Sequence, residues 1–290
     1  MKIPFTKMHG TGNDFIIIDE FQKSVVPENM KEEFIRKISD RHFGVGSDGV
    51  IFVQKSAKCD VKFCFYNPDG SRAEMCGNGV RCFAKYVYER GIIQKQRMEI
   101  ETPAGVVLSE LLIDEGKVEQ VRVDMGKPRL KREDIPVFGD PKSSLIDEDI
   151  PINGDSFKIT AVGMGNPHAV LFIDDIGAVD VLHAGEKIRF HTGLFPRGVN
   201  VHFVEKVGVN EFSIRSYERG VEDETLSCGT GVCASAVAAV LNKLADPEKA
   251  IMFHARGGDV TIEVESMGGV LSGVSLTGPA EEIFTGEIRD

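Results

Sequence analysis

Met75-Cys76-Gly77-Asn78-Gly79-Val80 recurs in the second half of the chain as Ser227-Cys228-Gly229-Thr230-Gly231-Val232. In both copies a Cys-Gly-x-Gly turn runs into helix-forming, largely apolar residues, so each thiol is expected where a helix begins. The two cysteines stand about half of the 290 residues apart. A second anchor repeats at nearly the same offset: Gly12-Asn13 precedes the apolar run Phe15-Ile16-Ile17-Ile18, and Gly165-Asn166 precedes residues 169–173. Two anchors at one offset read as an internal duplication. A duplicated fold would set the two thiols facing each other across a pseudo-twofold axis. Opposed thiols are what an enzyme needs to take a proton from one face of a carbon and return one to the other.

Around these anchors the pattern is mixed α/β. Residues 28–40 are expected to be helical, because Met30, Phe34, Ile35 and Ile38 fall at helical spacing after Pro27. Residues 50–53 read as a strand, and Val61, Phe63 and Phe65 alternate with polar neighbours up to the turn Asn67-Pro68-Asp69-Gly70. Residues 80–90 are helical in composition, with Gly91 as a C-cap, and strands follow at 98–101, 106–111 and 118–124. The polar, proline-bearing stretch 126–149 is expected to be a linker or an elaborated loop. Beyond it, residues 212–216 read as a strand leading to Tyr217-Glu218-Arg219-Gly220, and residues 231–244 as an Ala-rich, buried helix.

Composition narrows the class. A length of 290 residues favours two domains over one. The net charge of −11 argues against a nucleic-acid backbone as partner. Six cysteines are too sparse for a disulfide scaffold, no pair has Cys-x-x-Cys spacing, and the seven histidines are scattered, so no metal site is expected. No apolar stretch has the length of a signal-peptide core or a membrane span. A reducing cytoplasm, which keeps thiols unbridged, is the expected location.

The chemistry follows from the turns. Abstracting an α-proton from an amino acid drives charge onto its carboxylate, which fixed donors must hold. A Cys-Gly-x-Gly turn entering a helix supplies bare backbone N–H groups and the positive end of the helix dipole. The same field is expected to lower the thiol pKa towards neutrality and make a useful base. No cofactor is needed for that scheme. Cys59, Cys64, Cys82 and Cys233 are expected to be packing residues. Glu218-Arg219 reads equally as a solvated charge pair, and His168 as a structural turn residue.

Met8-His9-Gly10-Thr11-Gly12-Asn13-Asp14-Phe15, Phe65-Tyr66-Asn67-Pro68-Asp69-Gly70, Cys76-Gly77-Asn78-Gly79-Val80-Arg81-Cys82, Met164-Gly165-Asn166-Pro167-His168, Tyr217-Glu218-Arg219-Gly220 and Cys228-Gly229-Thr230-Gly231 together make the chain resemble the diaminopimelate epimerases over nearly its whole length. The resemblance implies an α/β fold (α+β type) of two pseudo-symmetric duplicated domains, each a mixed β-sheet curled around a central helix, with the active site in the cleft between them. The first would comprise residues 1–125 with 277–290 and carry Cys76; the second, 126–276, would carry Cys228. The implied activity is cofactor-independent interconversion of LL- and meso-2,6-diaminopimelate in lysine and peptidoglycan-precursor synthesis. Cys76 and Cys228 would be the acid/base pair. Gly77, Asn78, Gly229 and Thr230 would hold the reacting carboxylate, while Asn13, Asn67, Asn166 and Asn200 would bind ammonium and carboxylate groups. Arg219 would clamp the distal carboxylate, and His168 and Glu218 would tune the thiols, with Glu218 also touching substrate. The resemblance also implies a small-molecule substrate, no nucleic-acid or membrane partner, and a homodimer.

Two departures stand out. Many members have a substrate-contacting Gln where this chain has Gly49, and the segment 220–225 is one residue longer than in some of them. The rival within the fold is a proline or hydroxyproline racemase, whose substrate has no second head group for Arg219 and the asparagines to bind. A thiol-based redox protein is the rival from another class, disfavoured by the missing Cys-x-x-Cys.

Overall fold

The computed structural model describes residues 2–73 and 75–289, which divide into two compact units, 1–124 with 277–290 and 125–276. The first unit opens with β1 (Lys2–Gly10) and β2 (Asn13–Asp19), an antiparallel pair joined by a turn in which Thr11 and Gly12 both take positive φ. A single 3₁₀ turn, Glu28–Met30, leads into α1 (Lys31–Ser39). The helix expected over 28–40 therefore begins one turn late, because the fixed φ of Pro27 starts a tighter turn before the α pattern takes over. Then come β3 (Gly49–Gln54), β4 (Val61–Tyr66), α2 (Gly77–Glu89), β5 (Arg97–Thr102), β6 (Gly105–Asp114) and β7 (Lys117–Gly126).

Strand β2 runs parallel to β3, and their apolar residues Phe15 to Ile18 and Val50 to Val53 are wholly inaccessible. A strand buried on both faces needs this unbroken apolar run rather than alternation, and each such side chain contributes about 1.5–3 kcal/mol. Strand β4 alternates as expected, with Val61, Phe63 and Phe65 buried and Lys62 and Cys64 half-buried. Helix α2 packs on β1, β2, β3 and β6, so the mixed sheet curls around it; Phe83 meets Phe63 edge-on, with centroids 5.3 Å apart. Beneath α1, the buried Lys31 ammonium lies 2.8 Å from the equally buried Glu20 carboxylate and 4.3 Å over the Phe52 ring.

The second unit begins with the stretch expected to be a linker or an elaborated loop. It is the loop: among the described residues no helix or strand lies between β7 and residue 148, and the loop is packed down by Ile135, Val137 and Leu145, which sit in a hydrophobic cluster with Phe195 and Val201. The apolar residues there are too widely spaced to show a period, and only the tertiary core reveals what they pack against. The elements that follow are β8 (Glu148–Ile152), β9 (Asp155–Gly163), β10 (Pro167–Ile173), α3 (Val181–Arg189), β11 (Asn200–Gly208), β12 (Glu211–Glu218), β13 (Asp223–Thr225), α4 (Gly229–Leu241), β14 (Ile251–Ala255), β15 (Gly258–Met267) and β16 (Val270–Gly278). Strand β10 pairs antiparallel with β9 and parallel with β11. Helix α4 packs on β9, β10, β11 and β15, again with the sheet around it. Its residues Gly231 to Ala239 are all buried, as the Ala-rich sequence requires. The final strand, β17 (Glu281–Arg289), pairs antiparallel with β1. Among the described residues no helix is long and apolar enough to cross a membrane.

The two central helices match in detail. Each has 13 residues with a cysteine in extended conformation at its N-cap. Each closes with the same pair of backbone bonds: Ile92 N–H to Val87 O (3.0 Å) and Gly91 N–H to Tyr88 O (2.9 Å) after α2, Leu244 N–H to Ala239 O (2.8 Å) and Lys243 N–H to Val240 O (3.0 Å) after α4. That closure demands a left-handed residue, which is Gly91 (φ 69°) in one helix and Lys243 (φ 59°) in the other.

Candidate active site

Cys76 and Cys228 are the N-caps of α2 and α4, both in extended conformation. Each helix start presents backbone N–H groups and the positive end of the helix dipole, the anion-binding arrangement expected from the glycine turns. None of the six cysteines is in a disulfide.

In the first unit, Asn13 Oδ1 accepts from the Cys76 thiol (3.5 Å) and from Asn78 Nδ2 (3.4 Å), while Asn13 Nδ2 donates to Asp48 (2.8 Å). Arg81, wholly inaccessible, donates to Asn78 Oδ1 (2.8 Å), Thr11 Oγ1 (3.2 Å) and the Pro279 carbonyl (3.1 Å). These bonds set every amide: Asn78 must turn its NH2 towards Asn13, and Asn13 its oxygen towards the thiol. Asp48 is held in turn by Arg41, which also bonds Asp14. Asn67, expected to bind substrate, donates to Ser71 Oγ (3.0 Å) within its own turn. Arg81 and Asp48 were not anticipated. The one legible signal was an arginine three residues after Asn78 in an otherwise apolar helix start.

Gly49 is also explained. A Cβ there would lie 2.4 Å from Phe65 Cε2 and 2.8 Å from the Tyr66 carbonyl, so Phe65 fills the space a glutamine would enter.

In the second unit, His168 and His202 are both inaccessible and 2.8 Å apart (Nδ1 to Nε2). His168 Nε2 lies 2.7 Å from Asn166 Oδ1, and His202 Nδ1 lies 2.8 Å from Ser216 Oγ. Asn200 is a brace: its Nδ2 donates to the Pro167 carbonyl (3.0 Å) and its Oδ1 accepts from the Arg219 backbone (2.9 Å). Thr225 donates to Glu218, and Thr230 Oγ1 lies 3.7 Å from the Cys228 thiol. The Arg219 guanidinium has no carboxylate partner among the described residues; it donates to the Arg197 carbonyl (3.0 Å), and burial together with the like charge of Arg189 lowers its pKa. His202 and Ser216 were missed by sequence reasoning. Their signal was the alternation of β11, which puts His202 on the same face as Asn200.

Electrostatics overturns one expectation. Cys228 was to be lowered towards neutrality by its helix, but burial and then the Glu218 carboxylate push it well above the ordinary thiol value. The Thr230 and Gly231 bonds pull the other way and lose. Desolvating a thiolate in a site with 5 % exposure outweighs a helix-terminus field that acts through a few donors. Cys228 is therefore a thiol at neutral pH.

Burial also drives His168 well below its ordinary value, helped by His202 and Arg219, and lowers His202 to about 3. Both imidazoles are neutral in the fold, whereas in the unfolded chain they protonate near pH 6.5. The unfolded state then binds more protons below that pH, so stability falls as pH drops from 6.5 towards the folded values. At pH 5 the loss from His202 is about 2 kcal/mol, and His168 adds to it in the same direction. Urea unfolding at pH 7 and pH 5 should show it, and His202→Gln should reduce that pH dependence.

His168, His202 and Cys228 offer ligand atoms within 4.8 Å of one another, the one cluster of metal-ligating chemistry among the described residues. The imidazole ring centroids are 5.0 Å apart with nitrogens at 2.8 Å, which puts the bond nearly on the line joining the rings. Lone pairs aimed at each other's hydrogens do not converge on an ion.

Comparison with known proteins bears on which chemistry this is. The family model for diaminopimelate epimerase matches residues 5–131 and 160–283. The chain belongs to the diaminopimelate epimerase family. A diaminopimelate epimerase of Pelotomaculum thermopropionicum is 47 % identical over 98 % of each chain, and those of Methanothermobacter thermautotrophicus and Desulforapulum autotrophicum are each 44 % identical over 98 % and 100 % of both chains. Similar solved structures include a phenazine biosynthesis protein of the PhzF family from Bacillus anthracis (TM-score 0.72, 17 % identity, 100 % of both chains). A probable proline racemase from Agrobacterium radiobacter has a TM-score of 0.69 at 15 % identity over 99 % of this chain and 93 % of its own. These two share the fold expected of the family, a duplicated mixed α/β architecture.

Proposed function

We propose that this protein interconverts LL- and meso-2,6-diaminopimelate by a cofactor-independent two-base reaction, supplying lysine and peptidoglycan-precursor synthesis. The observation that carries the reading is the pair of matched helix N-termini, each with a cysteine at the cap. One cysteine, as thiolate, removes the α-proton; the other, as thiol, delivers a proton to the opposite face and becomes the thiolate. The reverse reaction exchanges the roles, and no electrons are transferred. The first-turn N–H groups of Gly77, Asn78, Gly229 and Thr230 hold the reacting carboxylate as charge accumulates on it. Because burial holds Cys228 protonated, Cys76 is the base in the round that starts from this state.

Arg219 is assigned to the distal carboxylate, since it is a half-buried cation that forms no salt bridge among the described residues, with Arg189, Glu222 and Arg197 around it. Asn13, Asn67 and Asn166 are assigned to the amino and carboxylate groups, and Asn200 and Glu218 to holding Arg219 and Cys228 in place. A proline-type substrate would leave Arg219 without a ligand. Family membership and the thiols also favour a cytoplasmic homodimer.

Proton NMR of LL-diaminopimelate with the reduced protein in D2O tests the reading. Deuterium entering one α-carbon together with meso product is the expected result. No exchange and no product, with the thiols confirmed reduced, would overturn it.

A further inference from the structure

We propose that His202 and Ser216 are positioning residues: with His168 they form a one-way hydrogen-bond chain that turns the amide of Asn166 so that its NH2 group is presented to an anionic ligand. The identity of that ligand as a substrate carboxylate rests on the function proposed above.

The chain consists of three contacts in a row, Ser216 Oγ to His202 Nδ1 (2.8 Å), His202 Nε2 to His168 Nδ1 (2.8 Å) and His168 Nε2 to Asn166 Oδ1 (2.7 Å). Ser216, His202 and His168 are buried, and Asn166 is half-buried at the open end. A neutral imidazole carries one N–H and one bare nitrogen. Each ring therefore passes the sense of the bond along, and only two fully ordered states exist. In the first, Ser216 donates to His202, His202 to His168, and His168 to the Asn166 oxygen. In the second, every bond is reversed, Asn166 donates inward, and its oxygen faces outward.

The serine separates the two. In the first state its hydroxyl hydrogen is used. In the second it accepts from His202 instead, and its own hydrogen needs another acceptor. Ser216 Oγ has no other partner among the described residues. A buried hydroxyl without an acceptor disfavours the second state by about tenfold or more. Both imidazoles are then Nε2–H tautomers, and the Asn166 amide is oriented by a residue at the far end of the chain. Its Nδ2 has no hydrogen-bond partner among the described residues and can donate to a carboxylate, whereas the reversed amide would set oxygen against oxygen.

Gly231 fits the same purpose. A Cβ there would lie 2.1 Å from His202 Cε1 and 2.6 Å from Nε2, so the helix that carries Cys228 is bare where it passes the imidazole. The chain is thereby packed against the start of α4.

Two measurements test this on the full-length protein. Long-range proton–nitrogen NMR of histidine-labelled protein should show His168 and His202 as Nε2–H tautomers; an Nδ1–H tautomer or an imidazolium at either would overturn the proposal, whether or not diaminopimelate is the substrate. Kinetics with LL-diaminopimelate then compare His202→Gln with His202→Leu. A glutamine NH2 can replace the Nε2–H donor, and a leucine cannot. The expected result is that His202→Gln keeps the His168 tautomer and most of kcat/KM. His202→Leu should lose about tenfold or more, mainly through KM. Packing alone predicts the opposite order, since leucine suits a buried site better, and equal or better activity for His202→Leu would overturn the proposal. If His202→Leu does not fold, the tautomers of the native protein decide.

Discussion

Cys76→Ala and Cys228→Ala are each expected to lower epimerisation of LL-diaminopimelate by about 10³-fold or more, while cooperative thermal unfolding is retained. The size follows from what is removed. A proton-transfer group in the transition state is worth about 10²–10⁴-fold, and here no second group on the same face is assigned to replace it. The two variants should also differ in kind. The variant that lacks the cysteine facing the LL α-proton should lose both α-proton exchange and product formation. The other variant keeps that base, which can return solvent deuterium to the same face, so exchange without inversion is its signature. Solvent-deuterium exchange and product stereochemistry, measured together by NMR, separate the cases. Either variant retaining more than about a tenth of the native rate would remove that cysteine from the mechanism.

Gly231→Ala is expected to destabilise the protein strongly, and its counterpart Gly79→Ala only slightly. The new methyl at 231 would meet three atoms of the His202 ring, the nearest at 2.1 Å. That ring cannot swing away without breaking two buried hydrogen bonds. Overpacking against a fixed, buried group costs about 3 kcal/mol or more once the lost hydrogen bonds are added. At 79 the nearest atoms are ends of side chains, Phe63 Cζ at 3.3 Å and Ile51 Cδ1 at 3.4 Å. The gain in helix propensity there offsets a small crowding cost, and the net change is within about 1 kcal/mol. Urea denaturation of both variants at pH 7 reads the difference. Similar losses in the two would mean that His202 yields and that its packing against α4 is loose.

The contrast between these glycines marks how far the sequence could be read. Cys76-Gly77-Asn78-Gly79 and Cys228-Gly229-Thr230-Gly231 look equivalent, and as helix starts they are: both caps, both lengths and both C-terminal closures agree. Strand β4 was legible from its two-residue alternation, and the buried runs of β2 and β3 from unbroken apolar sequence. Diaminopimelate epimerase membership was legible too, because it rests on short motifs that are themselves turns and helix starts. What these residues do next to one another was not. His202 lies 34 positions from His168 and 14 from Ser216, brought together by the pairing of β11 with β10 and β12. For 126–149 the sequence left linker and elaborated loop open, because Ile135, Val137 and Leu145 are buried by partners distant in sequence.

The sequence by itself determined that helices begin at the two Cys-Gly-x-Gly turns with a thiol at each, and that β2, β3 and β4 carry buried residues. Those are local properties of backbone sterics, capping and periodicity. Only the tertiary structure decided that burial raises the pKa of the Cys228 thiol, that Asn200 is a brace, and that one glycine of a matched pair lies hard against a buried imidazole. Those depend on desolvation and on contacts between strands, and both are set by residues that the chain order keeps apart.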